Sequence, residues 1–125
     1  MLKLLLVTSD EGGVSDFGSA LQENDKIELL RAKSAKTALD IVSENAIDLV
    51  VADENLDDMT GLELAGKLVL LNPMINCAVI SNLSQESFHE ASEGLGLMAQ
   101  LPKHPSGKDA EKLLRDLKSI KESLA

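Results

Sequence analysis

Five short apolar runs, separated by amphipathic segments, constrain the fold of this chain more than any other feature of its sequence. The runs cover residues 4–8, 27–30, 47–52, 77–80 and 97–101. Each has the length of a β-strand, and the first is apolar almost throughout, as expected of a parallel strand buried on both faces. The second is weaker and is predicted to lie at a sheet edge.

The segments between the runs carry helical signals. Ser34 and Ser84 stand where helix caps are expected, and apolar residues recur at helical spacing after Gly61 and again beyond residue 109. Glycines at positions 12, 13 and 18 weaken the first helix. Strands that alternate with helical crossovers predict an α/β fold with a parallel sheet covered on both faces.

Charge and composition argue against several classes of function. The 125 residues include 12 basic and 21 acidic ones, and the net charge of -9 disfavours direct binding of nucleic acid or an anionic membrane. Cys77 is the only cysteine, which excludes an internal disulfide and a Cys-rich metal site. The first apolar run is too short to span a membrane and is followed by acidic residues, so we expect a cytoplasmic protein.

Polar side chains follow four of the five runs. They are Ser9, Asp10 and Glu11 after the first, Asp53, Glu54 and Asn55 after the third, Ser81 and Asn82 after the fourth, and Lys103 after the fifth. Parallel sheets gather the carboxyl ends of their strands at one edge, so we expect these side chains in one cleft. Neighbouring carboxylates repel, and Mg²⁺ relieves that repulsion, while a serine hydroxyl and a lysine suit phosphate oxygens. The set fits phosphoryl transfer to an aspartate.

The segment from Asp48 to Leu64 resembles the phosphoacceptor strand and loop of the response-regulator receiver family, most specifically from Met59 through Gly61 to Leu64. Residues 4–11, 78–81 and 101–103 resemble its first, fourth and fifth strands. The resemblance covers essentially the whole chain, as a single receiver domain over residues 1–125. It implies a three-layer flavodoxin-like (βα)5 fold with a five-stranded parallel sheet in the order 2-1-3-4-5.

The resemblance also implies chemical roles. Asp53 would be the phosphoacceptor, receiving a phosphoryl group from a sensor histidine kinase or a phosphotransfer protein of a two-component phosphorelay. Asp10 and Asp53 would ligate Mg²⁺ through their carboxylates, and Asn55 would do so through its backbone carbonyl. The chain would be a signalling domain that acts on an effector or output domain, not an enzyme in the usual sense. A homodimer is left open.

Two residues are implied to bind the phosphoryl group itself. Ser81 and Lys103 would hold its oxygens, and movement of Ser81 would switch a protein-interaction surface formed by strand four, helix four and strand five. Ser9, Glu11 and Asn82 would be accessory residues of the same site.

Several departures from the family pattern favour an alternative, a degenerate receiver that binds proteins without being phosphorylated. Ser9 takes the first of two acidic positions, Asp57 replaces a loop proline, and Gln100 replaces a switch aromatic residue. His104 separates Lys103 from the following proline. Because a non-proline cis bond costs about 3 kcal/mol, we expect a trans Lys103–His104 bond or a cis bond after His104. Either would displace the lysine.

A third interpretation, an unrelated flavodoxin-like enzyme or nucleotide-binding domain, has less support. A haloacid-type phosphatase would need an aspartate where Asn55 stands. The Gly12-Gly13 pair is a poor substitute for a phosphate-binding loop.

Overall fold

The computed structural model describes the backbone of residues 1–124 and the side chains of residues 1–122, so the last residue of the expected domain, Ala125, lies outside the described part. Strands and helices alternate along the described chain. The strands are β1 (Leu2–Val7), β2 (Ile27–Ala32), β3 (Leu49–Ala52), β4 (Asn76–Ile80) and β5 (Ala99–Leu101). The helices are α1 (Ser15–Gln22), α2 (Ala35–Glu44), α3 (Gly61–Leu71), α4 (Gln85–Ala91) and α5 (Gly107–Leu124), and a 3-10 turn (Glu11–Val14) precedes α1.

The five strands form one parallel sheet in the order β2-β1-β3-β4-β5, which confirms the expected fold and places β2 at an edge. In the central pair, Val7 of β1 is in register with Ala52 of β3. Strand β3 begins two residues later than the apolar run suggested. Asp48, just before β3, still donates its amide to the Lys3 carbonyl at 2.8 Å, while its carboxylate accepts the Lys3 amide at 2.8 Å and pairs with Lys121 of α5.

The core is aliphatic and lies on both faces of the sheet. On one face, Phe17 of α1 and Leu117 of α5 pack against β1 and β3, and on the other face Leu64 of α3 packs against the same strands. Cys77 lies in this second layer, and burial raises the pKa of its thiol to about 11. It is therefore a core side chain and not a nucleophile. No helix within residues 1–124 has both the length and the apolar character that crossing a membrane requires.

The predicted helix caps are confirmed. The Ser34 hydroxyl accepts the Thr37 amide at 3.2 Å, and the Ser84 hydroxyl accepts the Ser87 amide at 3.1 Å. The glycine-rich start of the first helical segment forms the 3-10 turn, so α1 itself is short.

Asp58 fastens the β3–α3 loop to the start of α2. Its two carboxylate oxygens accept the backbone amides of Ala35 and Lys36, each at 3.0 Å. These amides are among the unpaired donors of a helix N-terminus, and a carboxylate there also meets the positive end of the helix dipole. The Ala35 and Lys36 amides hold the pKa of Asp58 below its usual value of 3.8.

We expect Asp58→Asn to lower the melting temperature at neutral pH, because it removes the charge that the two amides favour. A lowered pKa stabilises the fold above the ordinary value, and that contribution is lost as pH falls through the folded-state pKa. The difference from wild type should therefore shrink below about pH 4. Thermal unfolding followed by circular dichroism at several pH values checks this, with the exposed neighbour Asp57→Asn as control. A difference that does not depend on pH would contradict the assignment.

Gly61, the first residue of α3, allows the chain to pass close to the backbone of Asp53. A Cβ at position 61 would lie 2.3 Å from the Asp53 carbonyl oxygen and 3.3 Å from Val79 Cγ1. The first neighbour is backbone and cannot rotate away, so only glycine fits without moving the residue that the sequence singles out as phosphoacceptor.

We expect Gly61→Ala to destabilise the protein by about 1–3 kcal/mol, the usual range for overpacking. Gly66 of the same helix is the matched control, since a Cβ there meets only Leu95 Cδ2 at an ordinary 3.7 Å. Gly66→Ala should stabilise by about 0.5–1 kcal/mol through helix propensity. Chemical denaturation of both variants measures the two effects, and equal effects would refute the steric argument.

Candidate functional site

The ends of β1, β3, β4 and β5 converge at one edge of the sheet, where they form the cleft that the strand order predicts. Asp53 follows β3, and its amide donates to the Val7 carbonyl at 2.9 Å. Ser81 follows β4, and its amide donates to the Leu101 carbonyl of β5 at 2.9 Å. Backbone pairing therefore continues one residue beyond each strand and fixes where both side chains begin.

Both carboxylate oxygens of Asp53 accept hydrogen bonds. Oδ1 accepts the Glu54 amide at 2.8 Å, and Oδ2 accepts the Thr8 hydroxyl at 2.7 Å. The same hydroxyl accepts the Asp10 amide at 3.0 Å. Thr8 is 2% exposed, so the hydrogen-bond partner of Asp53 at the end of β1 is a buried hydroxyl.

The acidic residues after β1 are engaged elsewhere. The Asp10 carboxylate caps the 3-10 turn by accepting the Gly13 amide at 3.3 Å, and its link to Asp53 runs through its own backbone amide and Thr8. Glu11 pairs with Arg31 of β2 at 3.5 Å, and Ser9 is exposed. The structure thus brings Asp53 to the cleft and gives the side chains of Asp10 and Glu11 other partners, Gly13 and Arg31.

The carboxylates of the predicted Mg²⁺ site accept hydrogen bonds from the chain itself but keep further lone pairs on their oxygens. Such a site normally offers one or two carboxylates with free oxygens, along with phosphate oxygens and water. Here both Asp53 oxygens have protein donors, and the Asp10 carboxylate caps a turn. Asn55, the third predicted ligand, is exposed and forms an isolated bridge with Thr60. Among the described residues, no three Asp, Glu, His or Cys side chains are grouped so that they could hold a metal ion.

The predicted phosphate-binding residues meet the carboxylate of Glu54. Oε1 accepts the Asn82 amide at 3.1 Å and lies 3.5 Å from the Ser81 hydroxyl, at the outer limit of hydrogen bonding. Oε2 lies 3.5 Å from Lys103 Nζ. Ser81, Asn82 and Lys103 are therefore together, as expected, but the group between them belongs to the chain itself.

Gln100 fastens the β4–α4 loop, residues 81–84, from the opposite side. Its side-chain amide donates to the Ser81 carbonyl at 3.3 Å and to the Leu83 carbonyl at 2.8 Å. The Ser81 hydroxyl also accepts the Leu83 amide at 3.2 Å. Because the Gln100 side chain is bonded to two backbone carbonyls, it does not rotate freely as the switch aromatic residue of the family would at this position.

Lys103 reaches the cleft despite the inserted histidine. No cis peptide bond occurs among the described residues, so the bond between Lys103 and His104 is trans, the first of the two expected alternatives. His104 absorbs the change of direction with a positive φ of 51° and places its ring Nδ1 3.3 Å from the Gly13 carbonyl. The extra residue changes the loop but leaves the ammonium group near Glu54.

The sequence does not predict the roles of two residues of the site. Thr8 is expected only as the end of the first strand, although a hydroxyl at the end of an apolar run, beside the residue that follows the third run, is a usable signal. Glu54 is expected at the cleft with Asp53 and Asn55, but its position after the strand does not indicate where its long side chain points.

Comparison with known proteins agrees with this architecture. The family model of the response regulator receiver domain matches residues 5–115. A signal receiver domain of an HD domain-containing protein from Pseudomonas fluorescens Pf-5 has a TM-score of 0.85 and 20% identity, over 98% of this chain and 90% of that one. A response regulator receiver domain protein from Clostridium thermocellum has a TM-score of 0.85 and 19% identity over 100% of both chains.

A CheY-like receiver domain protein from Methanospirillum hungatei JF-1 has a TM-score of 0.84 and 22% identity over 98% of both chains. At these identities the solved structures establish the fold alone. No curated protein matches the chain. The family match spans most of the sequence, and the sheet order is the one that the resemblance implied. This chain therefore belongs to the response regulator receiver domain family.

Proposed function

We propose that this chain is a degenerate receiver, a signalling module that binds a partner protein without a resident Mg²⁺ ion and without phosphorylation of Asp53. The observation that carries the proposal is that the chain supplies its own partners to both halves of the cleft. A hydroxyl from Thr8 satisfies Asp53, and a carboxylate from Glu54 satisfies Ser81, Asn82 and Lys103.

The interaction surface of this proposal comprises β4, α4 and β5. The β4–α4 loop is held between Glu54 on the cleft side and Gln100 on the outer side. Leu83, at the centre of that loop, remains 41% exposed although it is apolar. A fixed loop with an exposed apolar side chain suits contact with a protein partner, which for this family means a kinase or an output domain.

A second candidate is the ordinary activity of the family, Mg²⁺-dependent transfer of a phosphoryl group from a histidine kinase or phosphotransfer protein to Asp53. Members of the family generally bind Mg²⁺. The specific observation in its favour is that Asp53, Ser81 and Lys103 all lie at one cleft, with Asp53 only half-buried. A phosphorylatable site needs these three groups together.

Incubation with acetyl phosphate and Mg²⁺ distinguishes the two candidates. We expect the intact mass of the wild type to stay unchanged, because the Asp53 and Asp10 carboxylates already accept hydrogen bonds from Thr8, Glu54 and Gly13 and compete poorly for the metal that phosphoryl transfer needs. A receiver of known phosphoacceptor activity serves as the positive control for the reagents. A gain of one phosphoryl group that Asp53→Asn abolishes would establish the second candidate and overturn the first.

Thr8→Asp should create a metal site that the wild type lacks. The hydroxyl lies 2.7 Å from Asp53 Oδ2, so an aspartate at position 8 would bring a second carboxylate beside the first. Two like charges at this separation repel, and a divalent cation relieves the repulsion. We expect no saturable Mg²⁺ binding in the wild type below roughly 10 mM, and saturable binding at millimolar concentration in Thr8→Asp.

Amide spectra recorded during a Mg²⁺ titration measure both cases. Thr8→Asn, which has the same shape as the aspartate but no charge, is the matched control and should behave like the wild type. Tight Mg²⁺ binding by the wild type would show that Thr8 does not limit the metal site.

A further inference from the structure

Three different donors converge on the Glu54 carboxylate. They are the Asn82 backbone amide at 3.1 Å, the Ser81 hydroxyl at 3.5 Å and the Lys103 ammonium at 3.5 Å. Ser81 is only 4% exposed, so this polar side chain is buried and has few alternatives. An amide, a hydroxyl and an ammonium directed at one point form an anion-binding site. In this chain the site already contains an anion.

We propose that Glu54 is a built-in occupant of this anion site, a positioning residue whose carboxylate holds the β4–α4 loop against the cleft in place of a phosphoryl group. The inference rests on the proposed function, because a receiver that works without phosphorylation needs another means of fixing Ser81. The group that fixes Ser81 is then the Glu54 carboxylate.

The short connection between Glu54 and Asp53 supports this role. The Glu54 amide donates to Asp53 Oδ1 at 2.8 Å, so its side chain starts beside the Asp53 carboxylate. The side chain then extends to Ser81, Asn82 and Lys103. The Glu54 side chain thus connects the β3 end of the cleft with the β4 end. Without it, a group attached to Asp53 would have to make the contacts at the β4 end.

A simple surface ion pair does not account for the arrangement. The Lys103 side chain is 46% exposed, and pairs of that kind contribute little to stability. The contacts that set Glu54 apart are those to the Asn82 amide and the buried Ser81 hydroxyl, both in the same loop. A second anion could not share these donors with Glu54, because two negative groups at one site repel.

Removal of the carboxylate should therefore open the site to a free anion. We expect Glu54→Ala to bind inorganic phosphate saturably, with shifts at the amides of Asn82, Leu83 and Lys103 in ¹H–¹⁵N spectra. Its affinity should exceed that of the wild type by about tenfold or more, the effect expected for one or more charge-assisted hydrogen bonds. The titration contains neither Mg²⁺ nor a phosphodonor.

Glu86→Ala is the matched control. Glu86 lies exposed in the first turn of α4, so this change removes one negative charge near the site without vacating it. It should bind phosphate as weakly as the wild type. If Glu54→Ala binds phosphate no better than Glu86→Ala, the inference is overturned.

Glu54→Gln provides a second test in case the alanine variant does not fold, since glutamine keeps the side-chain length and removes only the charge. It should shift the amides of residues 81–83 relative to the wild type, and unchanged amides would contradict the positioning role. The outcomes also separate the two proposals. Phosphorylation of wild-type Asp53 would overturn the proposed function without affecting the phosphate titration, whereas a negative titration would overturn only the role of Glu54.

Discussion

The parallel pairing of β1 with β3 is the contact on which the cleft depends. Val7 lies in register with Ala52, and the Asp53 amide continues the ladder to the Val7 carbonyl, so Thr8 and Asp53 leave the sheet side by side. A shift of one residue would draw the Asp53 carboxylate in among aliphatic side chains. Burying a charge there is strongly unfavourable, so the ends of these strands define the register as firmly as the aliphatic residues within them.

In the cleft that results, the carboxylates are paired with hydrogen-bond donors and a cation of the chain itself. Each carboxylate has separate donors, with Thr8 and a backbone amide on Asp53, and Ser81, Asn82 and Lys103 around Glu54. The Thr8 hydroxyl donates to Asp53 at the β1 side of the cleft, and the Glu54 carboxylate occupies the proposed anion site at the β4 side.

The order of the strands followed from the resemblance to the receiver family, whereas the strands themselves followed from the sequence because they depend on apolar runs, which are local. Ser34 and Ser84 were predicted as caps for the same reason. The third strand begins at Leu49 and not at Ile47 as predicted, and the contacts of the Asp48 side chain with Lys3 and Lys121 could not be predicted because both residues are distant in sequence. The destination of the Glu54 side chain depends on three residues in two other loops, and no spacing rule specifies that. The sequence thus predicted which strand ends meet, but not which side chains face one another there.

The loop after β4 is held mainly through its backbone. Gln100 bonds to the carbonyls of Ser81 and Leu83, and Glu54 bonds to the amide of Asn82. Main-chain groups are the same for every amino acid except proline, which lacks the N–H, so many other side chains at positions 82 and 83 would keep the loop in place. Evolution can therefore alter the outer face of this loop for a new partner while its anchoring stays unchanged. Under the proposed function, the side chains of this loop would contact the partner while its main chain anchors it.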